Sequence, residues 1–442
     1  MILQELEKSV KGALAKLGLE AEAVSFEHPE NLEHGDYSSN IALVLGKKGG
    51  RSVQELAEAI ASRIEGSKLV SRVEVAGPGF LNFFLDTGYL SKELSNIGKE
   101  KEKYGTGKAG RKKVMVEFTD PNPFKEFHIG HLYSNAVGES LSRLLEAEGA
   151  DVRRVNYQGD VGLHVAKAVW GMRAGLEESG LSLKDLEKEG LSERVRFLGR
   201  SYAMGDAAYE TGAAKEDIEE LNVKIFARDE SVSELYENGK KWSLEYFENI
   251  YGRLGTAFDH YYFESEVGKT GERIVKEGLK KGIFEESEGA VIFPGEKYGL
   301  HSRVFVNSRG LPTYEAKELG LAPTKYKDFS YDLSLIVTGN EIIGYFKVLL
   351  AALKETNPEL AEKTRHLSHG MVRLPEGKMS SRTGNIVTAE QLIEEVKARV
   401  QSIMESSGSE IPKEEREEAA EHIAVGAIKY SLLRVSLGKD IA

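Results

Sequence analysis

The chain has 442 residues, 40% of them hydrophobic and 29% charged, which suits roughly two to four packed domains and excludes a disordered chain. It has no cysteine, which removes disulfides, thiolate metal sites and cysteine nucleophiles. With 59 basic and 71 acidic residues the net charge is −12, so any polynucleotide must be met by local basic patches, such as Lys101 to Lys113 or Arg153-Arg154.

No apolar run approaches the roughly 18 residues a membrane helix needs. Leu3, Leu6, Val10, Leu14 and Leu17 space as one face of an ordinary helix, and Glu5, Glu7 and Glu20 argue against an acid-poor transit peptide. A cytoplasmic protein without membrane contact is expected.

In chain order, residues 1–100 read as a small α+β domain. Helices are expected over Leu3 to Leu17, Val53 to Ile64 and Tyr89 to Lys99, with strands over Leu69 to Val75 and Phe80 to Leu85. The lysine- and glycine-rich stretch from Lys99 to Gly110 reads as a linker. Residues 101–390 read as an α/β catalytic domain with a mostly parallel, Rossmann-like sheet. Its strands are expected near Val114 to Phe118, Val152 to Asn156, Val304 to Asn307 and Leu333 to Thr338, its helices at Leu132 to Glu148 and Ile342 to Lys354. Charged, helix-forming sequence over about 175–283 reads as a helical insertion. Residues 391–442 supply C-terminal helices, with Ala389 to Glu405 and Lys413 to Leu437 as the helical runs.

Two motifs carry the chemistry. His128-Ile129-Gly130-His131 follows an apolar strand and the Pro121-Asn122-Pro123 turn, and it opens a helix. A helix N-terminus offers free N–H groups and a dipole that favour phosphate, two imidazoles one turn apart add neutral donors, and Gly130 lets a ring or phosphate approach the backbone. Lys378-Met379-Ser380-Ser381-Arg382 lies in a loop flanked by Gly377 and Gly384. Together they describe an ATP site. Without an obvious general base, adenylation of a carboxylate fits best, because the carboxylate is itself the nucleophile and needs only alignment and charge stabilisation. His128 and His131 would donate to phosphate, Lys378 would neutralise the β and γ phosphates, and Gly377, Ser380, Ser381 and Gly384 would let the loop close. Mg²⁺ would accompany ATP as the substrate complex, with no tightly bound cofactor and no resident metal. A metal-ligand reading of the two histidines lacks a third ligand at zinc spacing.

These motifs resemble those of class I aminoacyl-tRNA synthetases, and their surroundings resemble arginyl-tRNA synthetase. The matching segments are Val116 to Pro123, Gly159-Asp160-Val161-Gly162, Pro312-Thr313-Tyr314 and Gly377 to Asn385. Glu33 to Tyr37 and Ser38-Ser39-Asn40 resemble the extra domain which that family places before its catalytic core and uses on the tRNA elbow. The resemblance implies L-arginine, ATP and tRNA(Arg) as partners, a monomer, and the arginine–tRNA ligase reaction through arginyl-adenylate. It assigns Glu117 and Tyr314 to the guanidinium, Asn122 to the α-amino group and Lys125 to an ATP phosphate, the last compensating for Ser381 where the superfamily loop has a second lysine. Gly130, Met379, Ser380 and Ser381 belong to its nucleotide site. Glu318 stands where the family has aspartate, one methylene longer, and Asn340 or Glu341 replaces its usual glutamine. Without the resemblance, Glu117 reads as a solvent-facing strand end and Tyr314 as a core aromatic.

Ala424 to Leu437 resembles only the start of the family's anticodon-binding domain, so a shortened domain and low aminoacylation by this chain alone are expected. Two other readings stay open. One is a nucleotidyltransferase paralogue that adenylates another carboxylate without tRNA; the other is a catalytically idle tRNA-binding module.

Overall fold

The computed structural model describes residues 2–49, 52–64, 68–107, 110–373 and 387–441. The chain divides into two compact units, Met1–Thr106 and Gly107–Ala442.

In the first unit the order is α1 (Ile2–Lys16), β1 (Tyr37–Ser39), α2 (Ile41–Gly49), α3 (Val53–Ala61), β2 (Val70–Ala76), β3 (Phe80–Leu85) and α4 (Thr87–Glu100). The strands form an antiparallel sheet in the order β1-β3-β2. Leu6, Val10 and Leu14 of α1 are fully buried, the 3–4 spacing turned into a core face. The Glu33 to Asn40 segment is a joint. Asp36 accepts the Leu85 N–H at 2.8 Å through its carboxylate and donates its own N–H to the Phe83 carbonyl at 2.8 Å. Gly35 (φ 88°) packs so closely that a Cβ would lie 2.6 Å from that carbonyl. The three-residue β1 and the helix α2 were not anticipated, because neither is long enough to show a period.

The second unit runs β4 (Lys113–Glu117), α5 (Ile129–Ala147), β5 (Asp151–Gln158), α6 (Leu163–Ser179), α7 (Leu183–Lys188), α8 (Leu191–Glu210), α9 (Lys215–Ala227), α10 (Glu230–Leu254), β6 (His260–Phe263) and α11 (Glu264–Lys280). It continues through β7 (Glu285–Ser287), β8 (Ala290–Phe293), β9 (Arg303–Val306), α12 (Tyr314–Asp328), β10 (Leu333–Gly339), α13 (Ile343–Thr356), α14 (Pro358–Lys363) and β11 (Thr364–His369), and ends in α15 (Ala389–Ser406) and α16 (Arg416–Leu433). Five parallel strands stand in the order β11-β10-β4-β5-β6. From β4 the chain winds outward through β5 and β6, then returns to β10 and β11 on the other side. The order therefore reverses beside β4, where open sheets of this type leave a crevice at the strand C-termini.

Alternation along the strands splits the core. Met115, Tyr157 and Ile336 pack with Val267, Leu319, Ala322 and Phe346 on one face. Val114, Val116, Phe118 and Val337 pack with Leu132, Phe247, Tyr251, Ile393 and Ile428 on the other. A separate cluster around Val165, Phe197, Ile218 and Trp242 is the core of the helical insertion.

The structure corrects two expectations. The strand expected near Val304 to Asn307 does not join the parallel sheet; Arg303–Val306 belongs to an antiparallel β7-β8-β9 sheet. The fifth parallel strand is His260–Phe263, inside the stretch read as insertion over about 175–283. Four residues between two long helices carry too little pattern to be read as a strand.

Glycine marks a close approach of helix and sheet: a Cβ at Gly138 of α5 would lie 2.1 Å from Phe118 Cγ, whereas one at Gly252 of α10 meets nothing within 4 Å. Gly138→Ala should lower the unfolding free energy by about 1–3 kcal/mol through overpacking. Gly252→Ala should be neutral or stabilising by up to about 1 kcal/mol. Urea unfolding distinguishes them, and equal effects would contradict this packing.

Candidate active site

The turn from β4 into α5 is bent by three non-glycine residues with left-handed backbone, Thr119 (φ 79°), Asp120 (φ 46°) and Phe124 (φ 68°). Such conformations cost on the order of 1–3 kcal/mol each and persist only where the surroundings impose them. Buried hydrogen bonds impose them here. Thr119 donates its N–H to Ser134 Oγ at 3.0 Å, and that hydroxyl donates to the Val337 carbonyl of β10 at 3.0 Å. Thr119 Oγ1 accepts from Asn135 Nδ2 at 3.1 Å, and Asn135 accepts from the Thr256 hydroxyl at 2.9 Å. Asp120 accepts the Tyr157 N–H at 2.8 Å, and Phe124 donates its N–H to Ser243 Oγ at 2.8 Å. Asn122 Oδ1 accepts the Gly159 N–H at 3.1 Å, which ties the turn to the end of β5.

This turn delivers His128 to the N-cap of α5 in extended conformation. His128 Nδ1 accepts the Gly130 N–H at 3.1 Å, and His131 Nδ1 accepts the His128 N–H at 3.2 Å. The pair is thus a capping box built from imidazoles. A nitrogen that accepts carries no proton, so each ring holds its hydrogen on Nε2. The rings stack with centroids 3.7 Å apart and planes 17° apart. Gly130 makes room for the fold-back, since a Cβ there would lie 2.9 Å from His128 Cε1. Burial, followed by the nearby Lys125 ammonium, lowers the His128 pKa to about 4. Burial, then His128 and Lys125, holds His131 well below the usual imidazole range. Both are neutral donors at neutral pH. The Lys125 ammonium lies 4.9 Å from the centre of the Tyr202 ring.

Lys378, Met379, Ser380 and Ser381 lie outside the described residues. The segment that returns from their loop is fastened beside the histidines. Ile129 donates its N–H to the Val387 carbonyl at 3.2 Å, and Ala389 donates to the Phe127 carbonyl at 2.9 Å.

On the sheet face covered by α11 and α12 the strand ends gather charge. Glu117 is 1% exposed, and its Oε2 accepts from Lys325 Nζ at 2.7 Å, so it is no solvent-facing strand end. Lys317 of α12 pairs with Glu264 of α11, also buried. Glu318 and Asp120 have no ammonium partner of their own among the described residues. Burial and then the Glu117 charge push both carboxyls well above the usual carboxylate range. Among the described residues, the ammonium groups paired with this set of carboxyls are those of Lys317 and Lys325. The Tyr157 hydroxyl, buried near Glu264 and Glu318, has no hydrogen-bond partner among the described residues.

At the rim, Tyr314 is half-exposed, so it is no core aromatic either. Its hydroxyl lies 3.3 Å from His164 Nδ1, and Lys317 Nζ is 4.5 Å from its ring centre. His164 Nε2 lies 2.8 Å from the Gly159 carbonyl and must donate to it, so Nδ1 accepts the Tyr314 proton. Burial, then Lys125, lowers the His164 pKa to about 3. Asp160 accepts from Tyr236, Lys240 and Ser265, joining α10 to the start of α11. Asn340 is engaged elsewhere, donating to Asp440 at 3.3 Å, and Glu341 is exposed.

Asn122 and Tyr314 are thus joined through Gly159 and His164, Glu318 lies near Glu117 at the end of β4, and His128 and His131 stand at the N-terminus of α5 with Lys125 nearby. His164, Glu264, Lys317 and Lys325 were missed by sequence reasoning. The α12 spacing held a signal: Tyr314, Glu318 and Lys325, at i, i+4 and i+11, fall on one helix face, a polar stripe on a helix otherwise built to be covered.

Comparison with known proteins accords with this geometry. The family described as "tRNA synthetases class I (R), catalytic domain" matches residues 93–437, and "Arginyl tRNA synthetase N terminal domain" matches residues 4–85. The chain is 34% identical to an arginine–tRNA ligase of Treponema denticola over 95% of its own length and 71% of the relative's. It is 31% identical to that of Borreliella burgdorferi over the same shares. Among solved structures it shares its fold with the arginyl-tRNA synthetase of Thermus thermophilus, with a TM-score of 0.73 at 24% identity, covering 100% of this chain and 77% of that one. The enzyme from Plasmodium falciparum gives a TM-score of 0.72 at 20% identity over 99% and 75%. The chain belongs to the arginyl-tRNA synthetase family of class I aminoacyl-tRNA synthetases.

Proposed function

We propose that this chain catalyses the arginine–tRNA ligase reaction and that the crevice at the end of β4 is where arginine and ATP meet. In the first half-reaction a carboxylate oxygen of L-arginine bonds to the α-phosphorus of ATP while the bond to pyrophosphate breaks. In the second, a ribose hydroxyl at the tRNA 3′ end attacks the activated carbonyl and AMP leaves.

The observation that carries the reading is the charge of the crevice. Three buried carboxyls, with the partly buried Asp120 beside them, meet two ammonium groups, and burying net negative charge is unfavourable unless cations complete it. Free arginine brings two cations, a guanidinium and an α-ammonium. Glu117 and Glu318 are assigned to the guanidinium, which charge-assisted hydrogen bonds suit. Tyr314, its hydroxyl oriented by His164, closes the rim. Asn122 keeps one lone pair of Oδ1 for the α-ammonium while the other holds Gly159.

The α-carboxylate then points toward the α5 N-terminus. His128 and His131, neutral with Nε2–H groups free of the cap, donate to phosphate as charge develops. Neutral donors suit a step whose product must leave, since they stabilise the transition state without clamping pyrophosphate. Lys125 adds the positive charge that keeps the phosphates at this end. Lys378, outside the described residues, is assigned to the β and γ phosphates by its motif. ATP enters as substrate with Mg²⁺ carried on its phosphates.

A paralogue that adenylates another carboxylate would have little use for a crevice short of two cations, and an idle module would not need preorganised imidazole donors. Pyrophosphate exchange into ATP, run with each of the twenty amino acids and with or without tRNA, tests this. Exchange is expected with L-arginine alone among them and only when tRNA is present. Exchange with another amino acid, or none at all, would overturn the reading. In the same assay Glu318→Gln should raise the KM for arginine by about 10- to 100-fold, the worth of a charged hydrogen bond, and leave the KM for ATP unchanged.

A further inference from the structure

Lys325 has no part in the assignment above, yet its ammonium lies deepest in the crevice. Helix α12 leads into the parallel strand β10, so it runs back against the strand direction and descends from the rim. Tyr314 stands at the top, Glu318 one turn below, and Lys325 two further turns down. Lys325 Nζ reaches Glu117 Oε2 from beneath at 2.7 Å, with both side chains 2% exposed. Leu319, Ala322, Ile336, Leu349 and Leu353 surround the space beside it, leaving a cavity of only about 10 Å³. That is too small for a guanidinium and marginal for one water. Glu318 and Thr364 share that lining, and the cavity is too small for the Lys325 side chain to swing out of its contact with Glu117.

We infer that Lys325 is a fixed counter-ion, a positioning residue that keeps one oxygen of Glu117 engaged throughout the reaction. The arginine guanidinium is then received by the other oxygen of Glu117 together with Glu318. This rests on the reading of the crevice as the arginine site. The two carboxylates that meet the guanidinium then come from two elements, one on β4 and one on α12, with one oxygen of the first already taken by Lys325. This arrangement also gives the longer Glu318 side chain a use, since that carboxylate must span from the helix to a guanidinium held off Glu117 Oε2. The groups that act on Glu117 from the packed elements are Lys325 and Glu318 of α12, Asp120 of the following turn, Tyr157 of β5, Tyr262 of β6 and Tyr331 ahead of β10. Lys325 is the one cation among these groups, and it holds Glu117 Oε2 at 2.7 Å.

The test is arginine-dependent pyrophosphate exchange by the full chain with tRNA, from pH 6.5 to 9, for wild type, Lys325→Met and Lys325→Arg. For Lys325→Met the KM for arginine should rise about tenfold or more at pH 7, while kcat and the KM for ATP stay within about threefold. The defect should shrink as pH rises, because Glu117 without its counter-ion takes up a proton that higher pH removes. Lys325→Arg keeps the charge but presents a fork that covers both Glu117 oxygens. Its KM for arginine should rise by a similar factor at every pH. A purely structural role would lower the melting temperature and give a KM change in Lys325→Met that does not vary with pH. An unchanged KM, a pH-independent one in Lys325→Met, or a lowered one, as if Lys325 were a competitor in the guanidinium seat, would overturn the inference. If Lys325→Met does not fold, Lys325→Arg decides it, with an unchanged or lowered KM for arginine as the contrary result. Loss of exchange in wild type would sink the functional reading itself, a result separable from an unmoved KM in active variants.

Discussion

The left-handed turn at Thr119-Asp120 is the constraint from which the rest of the site hangs. A β-branched residue avoids that conformation, and the turn keeps it because Thr119 is hydrogen-bonded through both its N–H and its hydroxyl to α5. Ser134 carries the restraint onward to β10, and Asp120 and Asn122 carry it to β5. The turn therefore joins the three central strands just above their C-terminal ends. Its shape decides where Glu117 stops, where Asn122 points, and at what angle His128 begins the helix.

That geometry separates two electrostatic environments along one crevice. On the α12 side, buried carboxyls outnumber ammonium groups, and burial, then the Glu117 charge, raises the proton affinity of Asp120 and Glu318. On the α5 side, burial and Lys125 keep the imidazoles uncharged, with their Nδ1 atoms committed to backbone N–H groups. A cationic amino acid and an anionic nucleotide are thereby drawn to opposite ends. The reacting carboxylate and α-phosphorus are left to meet between them. Preorganised dipoles and charges of this kind need little rearrangement as the reaction proceeds.

The sequence was most readable where pattern is long or punctuation sharp. The apolar runs of β4 and β10 and the amphipathic α5 were recognisable by period, and His128-Ile129-Gly130-His131 marked the helix start through its own chemistry. What could not be read were properties that exist only after folding. Nothing in Thr119 or Asp120 announces a left-handed backbone, because glycine is the usual mark of one. His260–Phe263 is too short for periodicity, so the last parallel strand was absorbed into the insertion. Lys325 and Lys317 gain their meaning only when Glu117 and Glu264 arrive from other elements to pair with them. Asp36 and Gly35 belong to a motif whose visible work is to pin β1 against β3. Asn340, considered as a replacement for a missing glutamine, is turned instead toward Asp440.

The crevice is short of cations until arginine binds, and in the meantime Asp120 and Glu318 hold protons more tightly than ordinary carboxyls. An incoming guanidinium and α-ammonium oppose that upward shift, so arginine binding should favour proton release and tighten as pH rises. The most direct measurement is calorimetric titration of L-arginine into the chain with tRNA at neutral pH, in two buffers of different ionisation enthalpy. Net proton release is the predicted result. Equal heats in the two buffers, or proton uptake, would contradict the account.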